Sequence, residues 1–276
     1  MIIKNIFSNP HYYVYQILMS LGIGNKVNYV LKKDGIKIPL IYGWGKENLN
    51  LAESWMIRII NKIGVNDHFI DIGVNIGQTI VKVKAHYPGI EYFGFEPNYN
   101  CVKYVERLVE LNNFERIRIF PIGLGEVSGV FPLFVDNDIA SGATFLEDLR
   151  NSTKGLKKLY LPVFKFDDLE LYFPNRTLVK IDVEGFELEA IRGMESFLKS
   201  GIRNVICEVL PCYGNFQSSR RDRQIQLFSF LKKIGYQVYL INEENSTLNA
   251  IIEFPLDADM SVSNYLFSND AFLQID

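Results

Sequence analysis

Apolar and polar positions fall into two rhythms along this chain. Over 51–63, Leu51, Trp55, Ile59 and Ile63 recur every fourth residue and Gly64 follows, which predicts a helix with one apolar face and a glycine stop. From His68 onward, short apolar runs alternate with longer amphipathic ones: strand 68–72, helix 77–86, strand 90–95, helix 99–111, strand 117–122. After an irregular interval the alternation resumes with strand 178–182, helix 186–198, strand 204–209, helix 223–234 and strand 237–241. Apolar pieces at 250–254 and 264–267 supply a terminal antiparallel strand. Short strands alternating with helices predict an α/β fold with an open, mostly parallel, doubly wound sheet.

Two segments stand outside this alternation. Residues 1–50 read as an N-terminal appendage: a helix near 12–21, then strands 26–31 and 36–41 joined by the turn Lys33-Asp34-Gly35. The remainder, 51–276, reads as one domain. Within it, 126–173 breaks the rhythm, with a hairpin at 127–135 and a polar run over 136–144 that contains Ser141 and Thr144. Loops that interrupt a regular scaffold are where substrate contacts are built, so Ser141 and Thr144 are candidates for that role.

The chemistry starts where the first strand of the alternation ends. Phe69-Ile70-Asp71-Ile72 runs into Gly73, Asn75 and Gly77, and Thr79 opens the helix beyond. Gly73 and Gly77 give the turn room, and Asn75 tolerates a left-handed backbone better than most residues. The next strand ends in Glu96-Pro97, about 20 residues beyond the turn, the spacing at which a carboxylate grips ribose hydroxyls. The spacing is neither Gly-x-Gly-x-x-Gly nor a phosphate loop followed by Lys-Ser/Thr. The cofactor reading is therefore a nucleoside, with S-adenosyl-L-methionine the best fit. Asp71, Gly73, Asn75, Gly77, Thr79, Glu96 and Pro97 are its candidate residues, Asp71 for the amino group of the methionine part.

A second acidic set lies at 182–208. Asp182 and Glu184 stand two apart at a strand end, so they project to the same side if the strand continues. The following strand ends at Glu208. Carboxylates crowded at adjacent strand ends raise one another's pKa, which suits a general base for a hydroxyl that attacks a methyl group. Asp182, Glu184 and Glu208 are thus the candidate catalytic residues. They permit a divalent metal without demanding one, and none is assigned. His11, His68 and His86 are placed away from the strand ends, and no Cys/His spacing marks a metal site.

Composition narrows the partners. There are 29 basic and 32 acidic residues, a net charge of −3, which lacks the basic footprint of a nucleic-acid binder. Three cysteines form no paired framework and fit a reducing, cytoplasmic setting. The N-terminus lacks the layout of a cleaved signal, and 12–23 is too short to span a bilayer; it reads as a core-packed helix ahead of a membrane-surface one. A homo-oligomer is left open.

Together, Phe69 to Gly77, Phe95-Glu96-Pro97, and Lys180-Ile181-Asp182-Val183-Glu184-Gly185-Phe186-Glu187 with Gly193 resemble the FkbM family of adenosylmethionine-dependent methyltransferases. Ser141 to Thr144 and Cys207-Glu208-Val209 are similar to further landmarks of that family. The resemblance implies a Rossmann-like, seven-stranded class I methyltransferase sheet. It also implies O-methylation of a sugar, glycan or secondary-metabolite hydroxyl, with a small-molecule or glycan partner. A nucleotide-sugar oxidoreductase or epimerase, and a non-catalytic binding protein of the same fold, are the alternative readings; the missing Gly-x-Gly-x-x-Gly counts against the former.

Overall fold

The computed structural model describes residues 17, 20–21, 29–33, 35–41, 44–45, 48, 54–63, 68–135, 143–146, 156–174, 176–211, 217–255 and 262–270. Ser141, Cys212 and most of the helix expected near 12–21 lie outside them. Strands β1 (Tyr29–Lys33) and β2 (Ile36–Leu40) form the expected hairpin. Helix α1 (Ser54–Ile63) leads into β3 (His68–Ile72), α2 (Gln78–His86), β4 (Glu91–Phe95), α3 (Tyr99–Asn112) and β5 (Ile117–Phe120). Strands β6 (Gly123–Leu124), β7 (Gly129–Val135) and β8 (Lys157–Phe164) follow. Then come β9 (Thr177–Ile181), α4 (Glu187–Arg192), α5 (Glu195–Lys199) and β10 (Arg203–Glu208). Helix α6 (Gln217–Lys233) and strands β11 (Gln237–Ile241), β12 (Leu248–Ala250) and β13 (Asn264–Ser268) complete the chain.

The main sheet runs β12-β11-β13-β10-β9-β3-β4-β5. Strands β5, β4, β3, β9 and β10 are mutually parallel, and β13 inserts antiparallel between β10 and β11. The order reverses at β3, which lies between β4 and β9, so a crevice opens at the carboxyl ends of these strands. Among the described residues the sheet has eight strands where seven were expected, because Leu248–Ala250 folds back antiparallel on β11.

Two further expectations are corrected. Residues 127–135 do not close a hairpin: β7 pairs along its length with β8 from beyond the polar run, and β6 joins β8 in parallel. The turn residues Ser128 and Gly129 stand before that apolar run rather than inside it, so nothing folds it back on itself. The helix expected over 186–198 splits into α4 and α5 at Gly193. There the chain meets the Gly125 backbone so closely that a Cβ on Gly193 would stand 2.0 Å from the Gly125 carbonyl oxygen.

Both faces of the sheet are covered, as a parallel sheet requires. Ile70, Ile72, Val179, Ile181, Val205 and Cys207 face α4, α5 and α6. Phe69, Leu178, Ile206 and Leu266 face α1, α2 and α3. The alternation of side chains therefore turns Asp71, Lys180 and Glu208 toward the α1–α2 side. The β1–β2 hairpin shares this fold's core: Ile36 and Ile38 pack with Tyr104 and Leu108 of α3. The Asn112 side chain exchanges two hydrogen bonds with the Lys37 backbone, and Tyr104 OH donates to the Pro39 carbonyl at 2.7 Å.

Candidate active site

The turn after β3 is built around positive φ: 92° at Gly73, 49° at Asn75 and 81° at Gly77. Gly73 N–H donates to the Phe95 carbonyl at 3.0 Å, and an added Cβ would stand 1.9 Å from the Asp182 carbonyl oxygen. Only a glycine fits between the ends of β4 and β9. Gly77 does a different job. Its missing side chain lets α2 close on Leu108 of α3, and Gly77 is not part of the cleft wall.

Glu96 stands opposite this turn and is nearly buried. Its two oxygens accept the backbone N–H groups of Asn75 and Asn98, each at 2.8 Å. Burial pushes its pKa up to about 7, against the pull of those two donors. Each carboxylate oxygen keeps a second acceptor site. Asn75, Gln78, Thr79, Glu96 and Pro97 line a cleft holding about 1000 Å³ of empty space, counted out to its open mouth. The facing wall is apolar: Leu124, Leu133, Ala143, Phe145 and Phe186.

The acidic set assembles through strand register. Asp71 pairs with Lys180, and Lys180 with Ile206, so the next same-side positions, Asp182 and Glu208, also fall side by side. Lys180 Nζ lies 2.9 Å from Asp182 Oδ2. Asp182 and Glu208 hydrogen-bond to each other. Burial works to raise the Asp182 carboxyl, but Lys180 and the Glu208 hydrogen bond hold it below its usual value. Burial and the charge of Asp182 push Glu208 up to about 8. At neutral pH, Glu208 therefore carries the proton and Asp182 the charge. Burial alone would depress the Lys180 ammonium; Asp182, Asp71 and Glu208 outweigh it and hold its pKa above the ordinary lysine value. Lys180 was not singled out from the sequence for a role, although its i, i+2 spacing from Asp182 was the available signal.

Other sequence candidates sit differently. Asp71 is fully buried and does not line the cleft. It accepts the Tyr92 hydroxyl, its Oδ1 has no hydrogen-bond partner, and burial raises its pKa to about 6. Glu184 is on the cleft wall with φ 51°, an uncommon backbone state for a side-chain-bearing residue. Its turn is held by Glu187, which accepts Gly185 N–H at 2.7 Å, and by Arg223, which donates to the Gly185 carbonyl at 3.0 Å. Thr144 does not line the cleft: it is buried, exchanges backbone hydrogen bonds with Phe134, and its hydroxyl accepts from Leu146 N–H, while its neighbours Ala143 and Phe145 form the wall. His68 pairs with Glu91 at the far ends of the strands. Tyr-x-x-x-Lys spacing, a feature of the oxidoreductase alternative, occurs at Tyr29/Lys33, Tyr42/Lys46 and Tyr99/Lys103. At the last of these the lysine lies over an exposed tyrosine ring, and neither residue lines the cleft.

Among the described residues no group of His, Cys, Asp and Glu is placed to hold a metal ion, and no helix is long and apolar enough to cross a membrane.

A doubly wound sheet with a cleft at its switch point, floored by a glycine turn and an acid, is the arrangement of nucleoside-binding α/β proteins. The Methyltransferase FkbM domain matches residues 71–238, and the chain belongs to this methyltransferase family. Methyltransferase 1 of Beauveria bassiana is 27% identical over 173 residues, covering 56% of this chain and 70% of that protein. Hexuronic acid methyltransferase AglP of Haloferax volcanii is 30% identical over 203 residues, covering 65% of this chain and 77% of that protein. The crystal structure of Methyltransferase FkbM from Methylobacillus flagellatus superposes with a TM-score of 0.46 at 17% identity, covering 73% of this chain and 43% of that one. This chain thus spans less than half the length of that structure.

Proposed function

We propose that this methyltransferase takes its methyl group from S-adenosyl-L-methionine and places it on a hydroxyl of a sugar, glycan or secondary metabolite. One observation carries the reading. The Glu96 carboxylate is held by two backbone amides at the floor of a cleft, beside the glycine turn, while the Asp182–Glu208 pair lies across the same cleft. A carboxylate fixed in this way, with an acceptor site left on each oxygen, suits the adjacent hydroxyls of a ribose. Asn75 and Thr79 edge the same space, and the apolar wall of Leu124, Phe145 and Phe186 suits a flat base. Asp71 sits behind this surface and acts through Lys180 and Tyr92 rather than by contact.

When bound, the cofactor supplies a methyl that passes from sulfur to the acceptor oxygen as the sulfonium becomes a thioether. The chain's part is to hold both reactants in line, which is worth several kcal/mol of barrier, and to receive the hydroxyl proton. Asp182 is ionised and Lys180 fixes its orientation, so it accepts that proton directly; it hands the proton on through the bond it shares with Glu208 only once Glu208 has lost its own proton. The hexuronic acid named for the Haloferax relative supports a sugar acceptor.

Isothermal titration with S-adenosylhomocysteine tests this reading. Wild-type protein is expected to bind at micromolar Kd, and Glu96→Ala to weaken binding at least tenfold, the order expected for losing charge-assisted hydrogen bonds. A folded wild-type protein that does not bind the ligand would overturn the cofactor assignment.

A further inference from the structure

The cleft has a neighbour. On the α1–α2 side of the sheet, Trp55 of α1, Lys82 of α2, Asp182, Glu208, Glu243 beyond β11 and Asn264 of β13 enclose a separate chamber of about 590 Å³, again counted to its mouth. Nothing in the cofactor reading uses it. We propose that this chamber is the acceptor site, and that it takes the hydroxylated ring of a neutral sugar with one hydroxyl presented to Asp182 and Glu208. The chamber itself stands on geometry; its role as an acceptor site rests on the methyl-transfer reading above.

Position is the first support. Gln78, Thr79, Lys180, Asp182 and Glu208 border both spaces, so the acid pair stands in the wall between cleft and chamber. A donor on one side and an acceptor on the other would meet at the groups able to take a proton. The second support is the lining. It combines two ammonium groups, carboxyl groups, two carboxamides and one indole, a mixture that pairs with ring hydroxyls at the edge and packs an apolar ring face against the aromatic.

The lining is also preorganised. Asn264 Nδ2 donates to Glu243 Oε1 at 2.8 Å, which fixes an amide and a carboxylate as one polar unit. The loop that carries Glu243 is pinned to α1 by Arg58, which donates to Ser246 Oγ at 2.6 Å and to the Glu243 carbonyl at 3.1 Å. Rigid placement of binding groups reduces the ordering cost of association. Charge sets the last element. The lining holds two ammonium groups, Lys82 and Lys180, against the three carboxyl groups of Asp182, Glu208 and Glu243, with Lys180 2.9 Å from Asp182, so no surplus positive charge is left for a phosphate or a carboxylate.

The test uses the full chain loaded with S-adenosylhomocysteine and probed by saturation-transfer NMR. The probes are methyl α-D-glucopyranoside, methyl α-D-mannopyranoside and methyl β-D-glucuronide, with inorganic phosphate added as a competitor and tryptophan emission read in parallel. At least one neutral pyranoside is expected to bind. Glu243→Ala and Asn264→Ala should each weaken it about fivefold or more, the scale of one lost polar contact, with homocysteine-ligand affinity within about twofold of wild type. Neutral pyranosides that fail to bind, that bind both variants as tightly as wild type, or that lose to the glucuronide or phosphate would each overturn the proposal. Pyranoside binding that depends on Glu243 in a protein unable to bind S-adenosylhomocysteine would instead leave the chamber standing and remove the cofactor reading.

Discussion

Replacing Gly73 by alanine strikes the point where the cofactor turn and the catalytic strand touch. Three costs follow from the geometry. The residue sits at φ 92°, and a side chain held in such a state costs about 1–3 kcal/mol. Its Cβ would lie 1.9 Å from the Asp182 carbonyl oxygen, a backbone atom that cannot swing away, so the ends of β3 and β9 must part. Parting them breaks the hydrogen bond from Asp182 N–H to the Ile72 carbonyl, 3.0 Å long, worth about 0.5–1.5 kcal/mol net. The expected loss is roughly 3–5 kcal/mol, a large share of the 5–15 typical of a domain. The assay is urea denaturation followed by far-ultraviolet circular dichroism, with S-adenosylhomocysteine titration on whatever remains folded. Gly89→Ala is the control, since an added Cβ there meets nothing within 4 Å and its loss should stay under about 0.5 kcal/mol. A Gly73→Ala protein as stable as Gly89→Ala, with unchanged ligand affinity, would refute the close approach and the role given to the turn.

Two further outcomes follow from the carboxyl groups. In the acid pair, Asp182→Asn should abolish turnover in an S-adenosylhomocysteine-release assay while the fold persists. Wild-type turnover should rise with pH toward about 8 as Glu208 ionises, and Glu208→Gln should flatten that limb; full activity of Asp182→Asn would remove it from the mechanism. Stability should fall with rising pH. Asp71, Glu96 and Glu187 have folded pKa values near 6, 7 and 7, above their ordinary 3.8, 4.5 and 4.5, chiefly because burial disfavours the charged form. The folded state therefore binds their protons more tightly, so their contribution is intact below about pH 4 and is lost as pH climbs through 6–7. Calorimetry should show a Tm that declines between pH 5 and 8, whereas a flat or rising Tm would show that these groups are not buried as described.

The alternation of short apolar strands with amphipathic helices was enough to establish the doubly wound α/β class, because a strand followed by a long crossover has few alternatives to parallel pairing. The glycine turn and Glu96 were legible for the same reason: a backbone that needs positive φ admits few residues, and a strand-end acid at the right interval marks the crevice. The sequence did not separate residues that touch the cleft from those that hold it up. Asp71 and Gly77 belong to the same run as Asn75 and Thr79, yet Asp71 is buried behind Lys180 and Gly77 serves helix packing, since strand alternation and helix contacts decide where each points. Thr144 reads as an exposed loop residue and is instead pinned to β7.

What the sequence determined by itself was local: element type, turn chemistry and the residues able to act as acids. What only the tertiary structure decided was non-local. Pairing of β7 with β8 across the polar run, insertion of β13 between β10 and β11, and the register that sets Lys180 beside Asp71 and Asp182 beside Glu208 all join residues far apart in the chain. The same holds for the two linked spaces, whose walls are drawn from most of the strands and helices of the domain. Charge and pKa follow those neighbours rather than the residue type, so one strand-end carboxyl is ionised and the next is protonated.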